Sequence, residues 1–397
     1  MKHLAPSFFR AFACAGGRCP DSCCRAGWEI VPDEETLRLY ESLGGAAGDC
    51  VRAGIEFPRR GAQLCISSGS QICCASACIF GLSLKCAPDD PDEPLLRQDK
   101  DRVCVLLDAD GLCHVQKYFG HDALCRVCRE YPRFHREFGN LTEHGVSLSC
   151  PTAYALAVGA PLQWEIWEDE TPIIPNDLDP DVYLRLRRGR ELALELLGRE
   201  DLSLAQRIAL LLRLAAAMQH APERLLHHDY GLRLRRWRAG IREHGARIRG
   251  RRDGALPSAP ERLVERFAGL EILSPTWKEH LARFLASLRD EAGTRCAPLR
   301  RRDRVDVRCA LLQGGLPETD QPELYARYLA CSLYKYWLDA LDDGNLLGRV
   351  ERSVSMTLLG LAMDQAFPGE GPFLQRISRE VEHCEENLAA LLGTELP

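Results

Sequence analysis

Residues 12–28 read FACAGGRCPDSCCRAGW and hold four cysteines, Cys14, Cys19, Cys23 and Cys24, within 11 positions. Four thiols at this spacing can close on one metal ion or one cluster, and thiolates favour zinc or iron–sulfur centres. Unliganded cysteine, packed as a small apolar residue, is the alternative. The stretch therefore predicts an irregular segment that binds a metal or a cluster.

The number and distribution of the cysteines point the same way. The chain has 397 residues and 19 cysteines, of which 15 lie in the first 150 positions. The N-terminus offers no apolar run of the length that a signal peptide needs, so we expect a cytoplasmic protein. Thiols are kept reduced in the cytoplasm, where clustered cysteines are more often metal ligands or catalytic groups than disulfide partners.

A second group of cysteines follows the first. It consists of Cys104, Cys113 in DGLCHVQ, Cys125 and Cys128 ahead of YPR, and Cys150 in SLSCP. The Asp-Gly pair before Cys113 is a turn signal, and a turn can present a ligand. The CxxC spacing alone would be a weak zinc signal, so this group matters mainly in combination with the first.

Composition places the chain among globular proteins of two or three domains. Hydrophobic residues make up 46% and charged residues 27%, with a net charge of −6. We predict a mainly α fold in which an irregular cysteine-rich, metal-binding or cluster-binding region at 1–155 packs on an all-α C-terminal domain at 181–397. Residues 156–180, rich in proline and aspartate, are predicted to be a linker.

Several helices are marked by local signals. Apolar residues at helical spacing favour a helix within 32–43, and Ser203 with Gln206 fits a capping box ahead of a leucine-rich stretch. Ser274 stands before a proline, a cap followed by a residue suited to the first helical position. Apolar residues three and four apart predict one amphipathic helix over 374–391.

Taken in order, the cysteine motifs resemble the flagellin lysine-N-methylase family and, more widely, a family of cysteine-cluster proteins that chelate zinc or iron. The resemblance covers about residues 1–155 and implies an enzyme that transfers methyl groups from S-adenosylmethionine to flagellin lysines and requires a [4Fe–4S] cluster. The cysteines that match the family pattern are Cys14, Cys19, Cys23, Cys24, Cys104, Cys113, Cys128 and Cys150. Eight candidates thus serve four cluster positions; the N-terminal four are favoured, with contributions expected from the second group.

Several alternatives stay open at this point. Zinc could replace the cluster, and the chain could be a zinc- or iron-binding protein whose helical half is a partner-binding scaffold without methyltransferase activity. Cys50 and Cys125 fall outside the family pattern, and Cys125 is a candidate to replace a missing ligand. The uncharged stretch 61–84 holds four further cysteines and is predicted to be a loop, with a second metal site as the alternative. No glycine-rich nucleotide-binding turn follows a strand pattern, so the cofactor pocket and the catalytic residues stay unassigned.

The resemblance implies flagellin as the partner. Residues 233–252 contain nine arginines, but the chain is acidic overall, so a solvated helix face is favoured over nucleic-acid binding. Peripheral contact with anionic lipid is the next alternative. No apolar segment reaches the roughly 18 residues of a transmembrane helix. We predict a cytoplasmic protein without a nucleic-acid partner, with membrane association and oligomerisation left open.

Overall fold

The computed structural model of the chain describes residues 1–57, 93–173, 177–219, 259–292 and 319–392. The uncharged stretch 61–84 and the arginine run 233–252 lie outside the described residues. The chain divides into two compact units, the first comprising Met1–Leu156, Gln163–Pro172 and Arg379–Asn387. The mainly helical fold is confirmed, and it includes a small mixed sheet that the sequence did not predict.

The chain up to residue 172 contains short helices and strands. They are β1 (Lys2–Pro6), α1 (Phe8–Ala11), α2 (Glu34–Ser42), α3 (Gly45–Ala53), β2 (Ile55–Glu56), β3 (Leu95–Leu96), α4 (His114–Phe119), α5 (Arg126–Glu130), β4 (Arg133–Phe138), β5 (Leu141–Val146), α6 (Pro151–Gly159) and β6 (Trp164–Glu168). Strand β6 falls within the segment predicted to be a linker.

Four of these strands form one sheet in the order β4-β5-β1-β6. Strand β1 runs parallel to β5, and the other two pairings are antiparallel. The register sets His3 opposite Trp167, and His135 opposite His144. Because side chains alternate between faces along a strand, this register places the three histidines on the same face of the sheet.

Helix α2 confirms the prediction made for residues 32–43. Asp33 caps it by accepting a hydrogen bond from the backbone N–H of Thr36 at 3.0 Å. Leu37 and Tyr40 on its inner face are buried. Tyr40 joins a core cluster with residues of α3, β3, α4 and the loops between them, and this core underlies the second group of cysteines.

The second unit comprises Ala157–Leu162, Ile173–Ser378 and Leu388–Pro397. The helices after residue 172 are α7 (Pro180–Leu197), α8 (Leu204–Gln219), α9 (Ala259–Ala268), α10 (Pro275–Ala292), α11 (Pro322–Tyr336), α12 (Ala340–Asp343), α13 (Leu346–Ala366), α14 (Phe373–Val381) and α15 (Glu385–Ala390). Among the described residues, none of the helices combines the length and the apolar character that crossing a bilayer requires.

Both predicted caps in this unit are confirmed. The N–H of Ser203 donates to Oε1 of Gln206 at 3.0 Å, and the N–H of Gln206 donates to Oγ of Ser203 at 3.3 Å. Oγ of Ser274 accepts from the N–H of Trp277 at 3.3 Å. The single helix predicted over 374–391 is wrong, because α14 ends at Val381 and α15 begins afresh at Glu385.

Candidate metal or cluster site

Six cysteines of the first unit interact with one another through hydrogen bonds or charge. They are Cys23, Cys24, Cys104, Cys113, Cys125 and Cys128. Five of them belong to the set that matches the family pattern. The sixth, Cys125, lies outside that pattern, and the sequence named it through its CxxC spacing with Cys128 and as a candidate to replace a missing ligand.

A tight turn and a backbone bridge position the first three thiols. Cys23 and Cys24 begin a single 3-10 turn, and Oγ of Ser22 caps it by accepting from the N–H of Cys24 at 3.3 Å. The N–H of Cys104 donates to the carbonyl oxygen of Cys24 at 2.9 Å. This hydrogen bond links the first cysteine group to the second, 80 positions later in the sequence.

The other three cysteines lie in or directly before two short helices. Cys113 immediately precedes α4, and Cys125 immediately precedes α5, which carries Cys128. The buried N–H of Cys125 donates to the hydroxyl oxygen of Tyr40 at 3.2 Å. The next N–H, that of Arg126, donates to Oδ2 of Asp33 at 2.9 Å. The start of α5 is therefore held by two side chains from the region of α2.

The thiols form two hydrogen-bonded groups, one centred on Cys24 and the other made of Cys125 and Cys128. Cys24 is hydrogen-bonded to Cys113, which lowers its pKa, but its bond with Cys23 and its burial raise the pKa to about 12. Burial raises the pKa of Cys104 to about 11. The hydrogen bond between Cys125 and Cys128 lowers the pKa of the first and raises that of the second.

A cavity of about 40 Å³ opens beside these thiols, which is more than the ~10–15 Å³ that one water molecule occupies by the same measure. Its lining consists of Cys23, Cys24, Cys104 and Cys128 together with Gly27, Trp28, Ile30, Leu96, Gln98, Val127 and Tyr131. The rings of Trp28 and Tyr131 meet edge to face with their centroids 5.1 Å apart. The guanidinium of Arg379 lies 5.2 Å from the centroid of Trp28 and donates to the carbonyl oxygen of Ser22 at 2.8 Å.

The three candidates outside the six-thiol cluster interact with one another and are Cys14, Cys19 and Cys150. Cys150 is buried among Phe12 and other apolar residues, and burial, followed by the charges of Cys19 and Cys14, raises its pKa. Tyr131 interacts electrostatically both with Cys150 and with Cys23 of the six-thiol cluster. Burial raises its pKa, Cys150 and Cys23 raise it further, and its hydroxyl lies 3.0 Å from Oγ of Ser149.

The eight candidates are thus divided by the structure into five that join the six-thiol cluster and three that lie around Cys150. The two N-terminal pairs separate: Cys23 and Cys24 join the cluster, whereas Cys14 and Cys19 act on Cys150. Cys50, which falls outside the pattern, is exposed on α3.

Comparison with known proteins gives partial matches. The chain is 29% identical over 147 residues to the flagellar biosynthetic protein FliU of Salmonella muenchen, which covers 37% of this chain and 70% of that protein. It is 30% identical over 147 residues to a lysine-N-methylase of Salmonella choleraesuis and 29% identical over 146 residues to one of Salmonella typhimurium. The chain resembles lysine-N-methylases. These two matches cover 37% of the chain and 30% of each lysine-N-methylase. No model of a protein family matches the chain, and no solved structure matches it.

Proposed function

We propose that the chain is an S-adenosylmethionine-dependent protein-lysine N-methyltransferase that acts on flagellin and requires a [4Fe–4S] cluster. The observation that carries this proposal is the cluster of six thiols beside a cavity, in a chain that resembles lysine-N-methylases. The name of another relative, the flagellar biosynthetic protein, supports flagellin as the substrate.

The cavity suggests which four thiols would hold the cluster. Cys23, Cys24, Cys104 and Cys128 all line it. The two other thiols of the six, Cys113 and Cys125, are hydrogen-bonded to Cys24 and Cys128 respectively and do not line the cavity. We assign the four lining cysteines as ligands and the other two as their supporting neighbours.

The reaction sets clear demands on the protein. S-adenosylmethionine supplies an electrophilic methyl group when bound, and the cluster supplies iron that can coordinate or exchange electrons. The lysine side chain, with a pKa near 10.4, must lose a proton before its nitrogen can accept a methyl group. The apolar and aromatic lining, with Trp28 and Tyr131, would exclude water from the site and lower the cost of that proton loss.

Anaerobic purification followed by iron, sulfide and zinc analysis tests for the cluster. Mass spectrometry of flagellin incubated with the purified protein and S-adenosylmethionine tests for methyl transfer. We expect about four iron and four sulfide per chain, with methylated lysines in the flagellin. Cys23→Ser, Cys24→Ser, Cys104→Ser and Cys128→Ser should each remove the iron and sulfide and abolish flagellin methylation. The matched control, Cys50→Ser at an exposed cysteine, should retain the iron and sulfide and the methylation. A colourless protein that holds zinc and leaves flagellin unmodified would instead support the zinc-binding alternative.

A further inference from the structure

The indole of Trp28 carries a buried hydrogen-bond donor beside the cavity. Trp28 is only 5% exposed. Its Nε1 is shielded from solvent and has no hydrogen-bond partner among the residues that the structure describes. A buried N–H without an acceptor costs free energy, so proteins pair nearly all such groups. Because an indole N–H only donates, a partner for Nε1 must be a hydrogen-bond acceptor.

A buried indole of the second unit shows the usual arrangement. Trp337 is fully buried, and its Nε1 donates to the carbonyl oxygen of Leu186 at 2.9 Å. Trp28 differs because its side chain lines the cavity of about 40 Å³. A group held in that cavity can therefore supply the acceptor that the described residues do not.

Neighbouring groups hold the indole of Trp28 in place. The ring of Tyr131 meets it edge to face, with the centroids 5.1 Å apart. The guanidinium of Arg379 lies 5.2 Å from its centroid and forms an ion pair with Asp21 at 3.1 Å. The backbone is held as well, because the carbonyl oxygen of Trp28 accepts from Nε2 of Gln98 at 2.5 Å. Rotation of the ring toward another acceptor would break the two ring contacts.

The lining of the cavity points to sulfur as the acceptor. Apart from Trp28, the polar side chains of the lining are Gln98, Tyr131 and four thiols. Gln98 and Tyr131 already have hydrogen-bond partners, the carbonyl oxygen of Trp28 and the hydroxyl of Ser149. Iron–sulfur clusters are held by thiolates, and hydrogen bonds to their sulfurs help to set their reduction potentials. Four thiols and one unpaired N–H around one cavity fit such a cluster.

We propose that the indole N–H of Trp28 donates a hydrogen bond to a sulfur of the iron–sulfur cluster held in this cavity. The inference rests on the proposed function, since the cluster is part of it. A hydrogen bond to sulfur is stronger when the cluster carries more negative charge, so it favours the reduced state. Trp28 thereby raises the reduction potential of the cluster without ligating iron.

Redox titration of the full chain with its cluster, followed by EPR, measures this effect without methylation. Trp28→Phe keeps an aromatic ring against Tyr131 but removes the N–H. The equilibrium constant for one-electron reduction should fall about tenfold, which corresponds to a midpoint potential lower by about 59 mV. Trp167→Phe on β6 also removes an indole N–H and should keep the wild-type potential. An unchanged potential in a Trp28→Phe protein with its full cluster would contradict the proposal.

A second measurement needs no substitution at Trp28. The full chain is labelled with nitrogen-15 at the tryptophan indoles and reduced, and electron–nuclear double resonance then detects nitrogen nuclei close to the cluster. We expect a coupling from one indole nitrogen, which persists in Trp167→Phe and is lost in Trp28→Phe. Absence of this coupling in the reduced wild-type protein would overturn the hydrogen bond, even if Trp28→Phe failed to fold.

The outcomes distinguish this inference from the proposed function. The expected shift in potential in a protein that leaves flagellin unmethylated would overturn the methyltransferase proposal and support the hydrogen bond. An active, cluster-containing protein whose potential does not depend on Trp28 would support the methyltransferase proposal and overturn the hydrogen bond. A protein that binds zinc and no cluster would overturn both.

Discussion

Asp33 links two helices of the candidate site, and its replacement by alanine should destabilise the first unit. Oδ1 of Asp33 accepts from the N–H of Thr36 at 3.0 Å, and Oδ2 accepts from the hydroxyl of Thr36 at 2.7 Å. Oδ2 also accepts from the N–H of Arg126 at 2.9 Å, at the first turn of α5. One carboxylate thus caps α2 and anchors the helix that carries Cys128.

The size of the effect follows from these bonds. Loss of an N-cap costs about 1 kcal/mol. A hydrogen bond to a charged group contributes about 1.5–3 kcal/mol, and we take the lower end because Asp33 is partly exposed. The two contributions together predict a loss of about 2.5 kcal/mol for Asp33→Ala. Asp33→Asn keeps an oxygen acceptor without the charge and should lose about half as much.

The loss should depend on pH. Burial raises the pKa of Asp33, but hydrogen bonds from Arg126 and Thr36 outweigh burial and lower the pKa overall. A carboxyl whose pKa is lower in the folded protein stabilises it fully above the unfolded pKa of about 3.9, and this stabilisation is lost as pH falls through the folded pKa. The difference between the wild type and Asp33→Ala should therefore be constant near neutral pH and shrink in acid.

Hydrogen exchange measured by mass spectrometry, with urea denaturation at several pH values, checks both parts of this reasoning. We expect faster exchange in peptides from both α2 and α5. Glu34→Ala, which changes an exposed residue of the first turn of α2, is the matched control and should leave α5 protected. Exchange that increases in α2 alone, or a free-energy change below about 0.5 kcal/mol, would refute the link between the helices.

Three further changes test other parts of the structure. Tyr40→Phe removes the acceptor of the buried N–H of Cys125 and should cost about 1–3 kcal/mol in urea denaturation, with a lower iron content in the purified protein. Glu323→Gln breaks an ion pair with Arg207, whose side chain is 2% exposed, and should cost about 3 kcal/mol, measured as a lower midpoint of urea unfolding of the second unit. Ser203→Ala removes half of a capping box and should cost about 1 kcal/mol, seen as faster amide exchange in the first turn of α8.

Local signals in the sequence were sufficient for several helices but not for the sheet. The capping box of Ser203 and Gln206 depends on residues three positions apart, so the sequence alone reveals it. Strand β1 pairs with β5, about 140 positions later, and no local pattern in five residues specifies such a partner. Local spacing can also predict a helix that is too long. The apolar spacing over 374–391 continues across the interruption after Val381, where the structure has two helices and not one.

The arrangement of the cysteines shows why sequence proximity was a poor guide to the candidate site. Cys19 and Cys23 are four positions apart, yet one acts on Cys150 and the other on Cys24 and Cys128. Between them the chain turns at Pro20 and Asp21, and Arg379 holds the carbonyl oxygen of Asp21 at 3.2 Å. This contact is made by a residue more than 350 positions away in the sequence. A pattern of cysteine spacings contains no information about such a contact.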